Sequence, residues 1–284
     1  MDTWRDACEG ACEDAKEKEK QELEQHILFK LSFVLYFMGK KVRIALAQIR
    51  YFDVHKKHNL QKIKEYIRKA KKKRADIICF PEVCVHKTER LHLGHKLIKE
   101  IQEECRKNSI WCIITEEINF KDKVHSTSIL IDREGKIKGK YKKIHLFGDK
   151  TSAGRNVKVF TTDFAKIGIA ICWDLAFPKM FKKMKQRGAQ IVFCPSKWWY
   201  ETKAHEKNHK ETEINLLESL VVARAFENLF FVAVCNPVLE SKFQVSYTAI
   251  ADPHKILAKI VDKEGMITAD LNLREIKKLE RVYA

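Results

Sequence analysis

Along residues 42–48 the chain alternates as a half-buried strand does, and over residues 59–70 the rhythm changes. There Leu60, Ile63, Ile67 and Ala70 fall three or four apart, on one helical face. Residues 77–80 are short and wholly apolar, which predicts a strand. Residues 92–107 carry Leu97, Ile98, Ile101 and Cys105 at helical spacing, and residues 111–115 read as a strand again. Strand, helix, strand, helix, strand predicts a mostly parallel sheet with helices packed against it.

The middle of the chain changes character. Residues 127–132 and 136–141, joined through Arg133, Glu134 and Gly135, predict a hairpin; residues 157–161 and 165–172 predict another. A helix is expected near 179–187, a strand at 191–194, a long helix over about 211–227 and a strand at 229–235. Strands at 247–252 and 256–261 are then expected to close the sheet. The alternation describes a layered α/β protein, with no internal duplication visible in the residues.

Composition adds bounds. The chain has 284 residues, 45% hydrophobic and 33% charged, enough to bury a full core. No Pro/Gly/Ser-rich linker interrupts residues 41–284, so that stretch is expected to be one domain. Residues 1–40 differ. Over 1–37 there are nine acidic residues against five basic ones, a charge of −4 that leaves +21 for the rest of the net +17. The apolar stretch 27–38 is too short to span a bilayer and follows acids, unlike a signal peptide. It reads as an interfacial helix, as a helix packing on the body or a partner, or as an upstream extension with the working start at Met38 rather than Met1.

The charge invites a nucleic-acid reading, since clustered Lys and Arg attract phosphates. The runs are Lys71–Arg74, then Lys138, Lys140, Lys142 and Lys143, then Lys179 to Arg187. The first and last lie on expected helices whose other positions are apolar, and no aromatic residues are interleaved as a stacking platform requires. Solvated outer faces explain them better, and nucleic acid is not expected as a partner. Nine cysteines, several inside apolar runs, form no secreted disulfide framework and point to a reducing cytoplasm. None has the spacing of a zinc site.

Three segments carry candidate chemistry. Cys172 follows an apolar strand and precedes Trp173 and Asp174; a thiol at a strand-to-turn junction is exposed to substrate while its backbone is held. By local pattern alone, with eight other cysteines in the chain, it reads rather as another buried structural thiol. Glu82 follows Pro81 at the end of a strand, where desolvation would make its carboxylate a usable base; alone it also reads as a loop residue. Alternation places Lys143 on the same face as Tyr141 and His145, opposite Lys142 and Ile144, so one lysine faces inward while the next faces water. Asp174 is expected to brace the turn, Arg224 and Glu227 to form a structural ion pair, and His145 to pack beneath Lys143. Of Trp198 and Trp199, one is expected in the core.

With their order and context, these pieces resemble the nitrilase superfamily of carbon–nitrogen hydrolases, over about residues 41–270. The resemblance rests on Ala47-Gln48, Phe80-Pro81-Glu82, residues 141–147 (YKKIHLF), residues 168–174 (GIAICWD) with Phe177-Pro178, Gly188-Ala189, Pro195-Ser196 before Trp198, residues 224–228 (RAFEN), and Asn236. It implies an α/β fold, a four-layer αββα sandwich, for a carbon–nitrogen hydrolase domain at 41–284, usually in homodimers or larger assemblies. It also implies a Glu–Lys–Cys triad: Glu82 as general base, Cys172 as nucleophile, Lys143 with the Trp173 N–H as oxyanion partners, and Trp173 and Trp198 at the substrate. The implied reaction is hydrolysis of a non-peptide C–N bond in a small amide or carbamoyl or ureido compound, amide being favoured over nitrile, with no metal or organic cofactor. Many members carry a second glutamate on the loop between the lysine and the cysteine. Here residues 148–157 (GDKTSAGRNV) contain none; Asp149 is the nearest acid, and Lys179 stands where a glutamate often follows Phe177-Pro178. A catalytically altered member acting as a scaffold, or a basic nucleic-acid-binding protein, is the alternative these departures leave open.

Overall fold

Both faces of the first strand, β1 (Lys41–Gln48), are buried, and its period of two sorts its side chains between two cores. Val42, Ile44 and Leu46 face one, Ala45 and Ala47 the other. The computed structural model describes residues 41–51, 57–148, 150–199, 209–238 and 245–283, together with Glu24. The expected extension at 1–40, Glu24 apart, and Asp149 lie outside the described residues.

After β1 come α1 (Leu60–Lys72), β2 (Ile77–Glu82), α2 (Lys96–Asn108), β3 (Trp111–Phe120), β4 (Lys123–Ile131) and β5 (Ile137–Lys142). Then follow β6 (Val159–Thr161), β7 (Lys166–Ile169), a 3₁₀ helix (Cys172–Ala176), α3 (Pro178–Gln186), β8 (Ile191–Pro195), α4 (His209–Asn228) and β9 (Phe231–Cys235). The chain closes with β10 (Tyr247–Ala251), β11 (Ile256–Val261), β12 (Gly265–Asn272) and α5 (Leu273–Tyr283).

Two six-stranded sheets result, in the orders β12-β1-β2-β3-β4-β5 and β11-β10-β9-β8-β7-β6. β1, β2 and β3 run parallel, as do β7, β8 and β9, and antiparallel strands flank each trio. The same strand–helix alternation therefore builds each sheet, a duplication that the residues do not display. Ile63, Ile67, Ile98 and Ile101 of α1 and α2 pack on Ala45, Ile78 and Phe80. The opposite face of that sheet shares a core with Ile167, Ile169 and Val192, and this core extends to Met180, Phe181, Leu217 and Val221 of α3 and α4. Helices, sheet, sheet and helices form the four layers of an αββα sandwich. Among the described residues no helix is long and apolar enough to cross a membrane.

The differences from expectation have local causes. The α2 helix begins at Lys96 rather than near 92, because His95 is its extended cap and accepts the Leu97 N–H through Nδ1 at 3.3 Å. Expected to end at Thr115, β3 runs on to Phe120, pairing along β4 from Cys112 to Phe120. The strand expected to reach Cys172 stops at Ile169, since the Ile171 N–H is taken by the Asp174 carboxylate at 3.0 Å. Strands β10 and β11 do not complete the architecture: β12 returns to the first sheet and pairs antiparallel with β1 over eight residues.

Gly168 lets α3 approach its strand closely, since a Cβ there would meet Met184 Sδ at 2.7 Å. Truncation after Glu264 removes the β12 partner of β1 and uncovers a strand whose interior is fully buried. The expected outcome is aggregated protein in size-exclusion chromatography; a monodisperse truncated chain with native circular dichroism would show β12 to be dispensable.

Candidate active site

Glu82, Lys143 and Cys172, spread over 90 residues of sequence, come together because their elements end at the same rim of the two sheets. All three line one pocket of about 230 Å³, together with Trp173 and Trp198. Each is nearly inaccessible: Glu82 is 4% exposed, Lys143 2% and Cys172 7%.

Glu82 is the last residue of β2, which continues past Pro81 through an irregularity in its pairing with β3. Its Oε1 accepts from Lys143 Nζ at 3.2 Å and from Ser126 Oγ at 2.8 Å. Val83, with φ of 54°, turns the chain away directly afterwards. Lys143 follows β5, and its N–H donates to the Ser126 carbonyl at 2.9 Å. Ser126 thus holds both members of the ion pair. In a site this buried, the attraction between them is much stronger than at a surface.

Cys172 opens the 3₁₀ helix with φ of 48°, in the left-handed region that L residues avoid at a cost of about 1–2 kcal/mol. Surrounding hydrogen bonds hold it there. Asp174, fully buried, accepts from the Ile171 N–H at 3.0 Å and the Tyr141 hydroxyl at 2.7 Å. Its other oxygen accepts the His145 N–H and contacts His145 Nδ1, each at 2.8 Å. His145 therefore belongs to Asp174, with its ring stacked on Phe177 at 3.6 Å, rather than lying beneath Lys143. Arg224 donates to the carbonyls of Leu175 and Ala176 at 3.1 and 3.4 Å and pairs with Glu227 at 3.1 Å, bracing the turn from α4.

Burial pushes the Cys172 thiol well above its usual range, and the Glu82 charge adds to this. Lys143 and the Lys197 N–H pull the other way without overcoming it. The resting group is a thiol, so its use as a nucleophile requires a base beside it.

Trp198 is the buried indole of its pair, 3% exposed, whereas Trp199 is 44% exposed. Asn236 Oδ1 accepts the Trp198 N–H at 2.9 Å, and Trp198 Nε1 donates to Glu213 at 3.0 Å. The Trp198 ring lies 5.6 Å from Trp173, which in turn lies 4.7 Å from Phe147. These rings form an apolar wall.

Sequence reasoning passed over Glu116, Glu117, Lys197 and Tyr51, which also line the pocket. The signal for Glu116 was present: Ile114, Glu116 and Ile118 continue the alternation of β3 on one face, all buried. Burial raises the Glu116 carboxyl to about 8, although it accepts N–H bonds from Val85 and His86. Lys197 Nζ sits over the Tyr51 ring at 4.6 Å and the Trp199 ring at 5.3 Å, and burial pulls its pKa down. Among the described residues, no cluster of three or more His, Cys, Asp or Glu is arranged to hold a metal.

The Glu116 shift has a stability consequence. Between about pH 4.5 and 8 the unfolded chain ionises this carboxyl while the folded chain keeps it protonated, so folding loses stability as pH rises. Glu116→Gln removes that dependence. Relative to wild type, the variant should gain on the order of a few kcal/mol between pH 4.5 and pH 8 in urea unfolding; a difference independent of pH would count against a protonated Glu116.

Comparison with known proteins agrees with this architecture. The profile of the family described as "Carbon-nitrogen hydrolase" matches residues 43–281. The 2-oxoglutaramate amidase of Bacillus subtilis is 28% identical over 234 residues, 76% of this chain and 85% of that protein. Among solved structures, a carbon-nitrogen hydrolase from Helicobacter pylori superposes with a TM-score of 0.78 at 18% identity, covering 86% of this chain and 94% of that one. A Glu-to-Gln mutant of an amidase from Nesterenkonia sp., with the acetamide moiety of fluoroacetamide covalently added at its active-site cysteine, gives a TM-score of 0.69 at 19% identity, covering 87% and 98%. A family profile that spans nearly the whole of the described αββα sandwich, from β1 to the last helix, makes this chain a member of the carbon–nitrogen hydrolase family.

Proposed function

We propose that the chain hydrolyses the amide of a small carboxylic acid through a thioester on Cys172, with Glu82 and Lys143 as its partners. The observation that carries this reading is the Glu82–Lys143 ion pair at 3.2 Å on the wall of the pocket that Cys172 lines. Glu82 takes the thiol proton as sulfur attacks the amide carbon. The carbonyl π pair moves onto oxygen, where Lys143 and the Trp173 N–H stabilise the charge. Collapse of the tetrahedral adduct breaks the C–N bond, and ammonia leaves with the proton from Glu82. Water, deprotonated by Glu82, then cleaves the thioester, and the acid departs as the thiol regains its proton. In the Glu-to-Gln mutant of the Nesterenkonia amidase the active-site cysteine carries the acetamide moiety of fluoroacetamide, an adduct that keeps the amide intact; it supports a nucleophilic role for the matching thiol, Cys172, here.

Charge balance in the pocket supports an amide that also carries a carboxylate. Lys143 is paired with Glu82, and Glu117 with Arg90 at 3.1 Å. Glu116 is protonated at neutral pH. Lys197 contributes an ammonium framed by rings, with no ion-pair partner among the described residues. That cation is suited to the far end of an ω-amide, and the Bacillus relative is named for such a compound.

Assembly as a homodimer and residence in the cytoplasm belong to the same proposal. Phe226 and Tyr283, both exposed, lie 5.6 Å apart on α4 and α5 and supply an apolar patch for a second copy. The seven described cysteines are all free thiols, as a reducing compartment would keep them.

In an ammonia-release assay over ω-amides, carbamoyl amines and aliphatic amides, Cys172→Ala should abolish turnover and the intact-mass adduct. Glu82→Gln should lower kcat about 10²–10⁴-fold. Absence of turnover on every substrate, with no preferential labelling of Cys172, would sink the hydrolase mechanism. Separately, Lys197→Met should raise KM for 2-oxoglutaramate at least about tenfold while leaving an uncharged amide nearly unaffected; an equal change for both would remove Lys197 from carboxylate recognition.

A further inference from the structure

Away from Cys172, a second cavity of about 290 Å³ is lined by Phe120, Lys140, Lys142, Arg155, Asn156 and Lys158. Two segments build it. Lys140 and Lys142 stand on the edge strand β5, where they alternate with the buried Gly139 and Tyr141. Arg155, Asn156 and Lys158 belong to the chain leading into β6, which is fastened alongside β5. The Ser152 N–H donates to the Val124 carbonyl at 2.7 Å, the Gly154 N–H to the Lys143 carbonyl at 2.6 Å, and Arg187 to the Val157 carbonyl. Gly154 is needed for that approach, because a Cβ there would overlap the Lys142 carbonyl.

Four cationic side chains therefore border one cavity, and among the described residues none of the four has a carboxylate within ion-pair distance. Lys138, two residues earlier on the same strand, does have one: its Nζ lies 3.6 Å from Asp132. Lys140, Arg155 and Lys158 are exposed, and Lys142 is the member held in place. Lys142 is half-buried with its Nζ 4.1 Å from the centre of the Phe120 ring. Burial pulls its pKa down, and Lys158, Lys140 and Lys123 add to the effect. His125, whose ring is 5.8 Å from Phe120, is lowered too, first by burial and then by Lys142 and Lys123 against the Ser152 carbonyl. Like charges gathered without a counter-charge raise the local concentration of anions, and a multivalent anion relieves most of the repulsion at once.

We propose that this cavity binds a small polyanion of pyrophosphate chemistry. The planar fork of Arg155 can donate two hydrogen bonds to one phosphoryl group, the Asn156 amide offers further donors, and the three lysines supply point charges around the rest. Free pyrophosphate and the diphosphate of a nucleotide share this chemistry. Bound across the cavity, such an anion bridges β5 to the segment carrying Arg155 and Lys158, close to where Gly154 holds the Lys143 carbonyl.

Calorimetric titration of the full chain with pyrophosphate, ADP and ATP at fixed ionic strength tests the site. One saturable site per chain is expected, weakened at least about tenfold in Lys142→Gln/Arg155→Gln. Lys71→Gln/Lys73→Gln, which removes equal charge from the end of α1, should leave it unchanged. Pyrophosphate binding without ADP or ATP would assign the free anion, and comparable binding of all three the nucleotide diphosphate. Affinity that follows ionic strength alone, or an equal loss in both double variants, would overturn the proposal. So would single-stranded RNA binding more tightly than pyrophosphate through Lys142 and Arg155. Circular dichroism of both variants checks that the fold is retained.

Discussion

The buried carboxylate of Asp174 ties together two pieces of chain from different sheets, alongside the stacking of His145 on Phe177. From one side it receives the Tyr141 hydroxyl and the His145 N–H, which bracket Lys143; from the other it receives the Ile171 N–H, next to Cys172. Tyr141 and His145 belong to the first sheet and its exit, and Ile171 to the exit of the second. The side chain of Asp174 therefore helps set how the ammonium and the thiol face each other across the sandwich. A carboxylate without access to water would be costly if its bonds were unmade, and here both oxygens are occupied.

The same turn places Cys172 in a left-handed conformation and leaves its sulfur in the pocket. The strain is affordable only because Asp174 and Arg224 hold the 3₁₀ helix from both ends. Burial has the opposite effects on the two kinds of group nearby. It strengthens the Glu82–Lys143 pair and suppresses ionisation of the thiol and of Glu116. A pocket of this kind keeps its nucleophile protonated until a base acts on it, which is what the proposed chemistry uses.

Elements with strong periodicity were legible one by one. The α1 helix shows Leu60, Ile63, Ile67 and Ala70 on one face, and all four are buried. The hairpin of β4 and β5 lies where its turn residues put it. Weaker signals misled in consistent ways. Polar residues on a strand, Glu116 and Glu117, resembled an end to β3, because local hydrophilicity does not reveal that a pocket lies on that face. The last strand, β12, has mostly half-exposed residues and one paired neighbour, so its pattern is faint and its place beside β1 depends on a contact more than 200 residues away.

Residue order and periodicity alone determined the α/β class, the strand end at which Glu82 stands and the placing of Lys143 just after a strand, and the resemblance to carbon–nitrogen hydrolases, since all of these are written in local spacing and in motifs; the 3₁₀ turn that carries Cys172, three residues beyond its strand, was not among them. Which groups share a pocket was decided only by the tertiary structure. Glu116, Lys197 and Tyr51 come from separate segments and meet only because two sheets stack. Whether an acid is ionised, or a lysine has a partner, depends on the desolvation and neighbours that stacking creates, and neither is a property of any short stretch of chain.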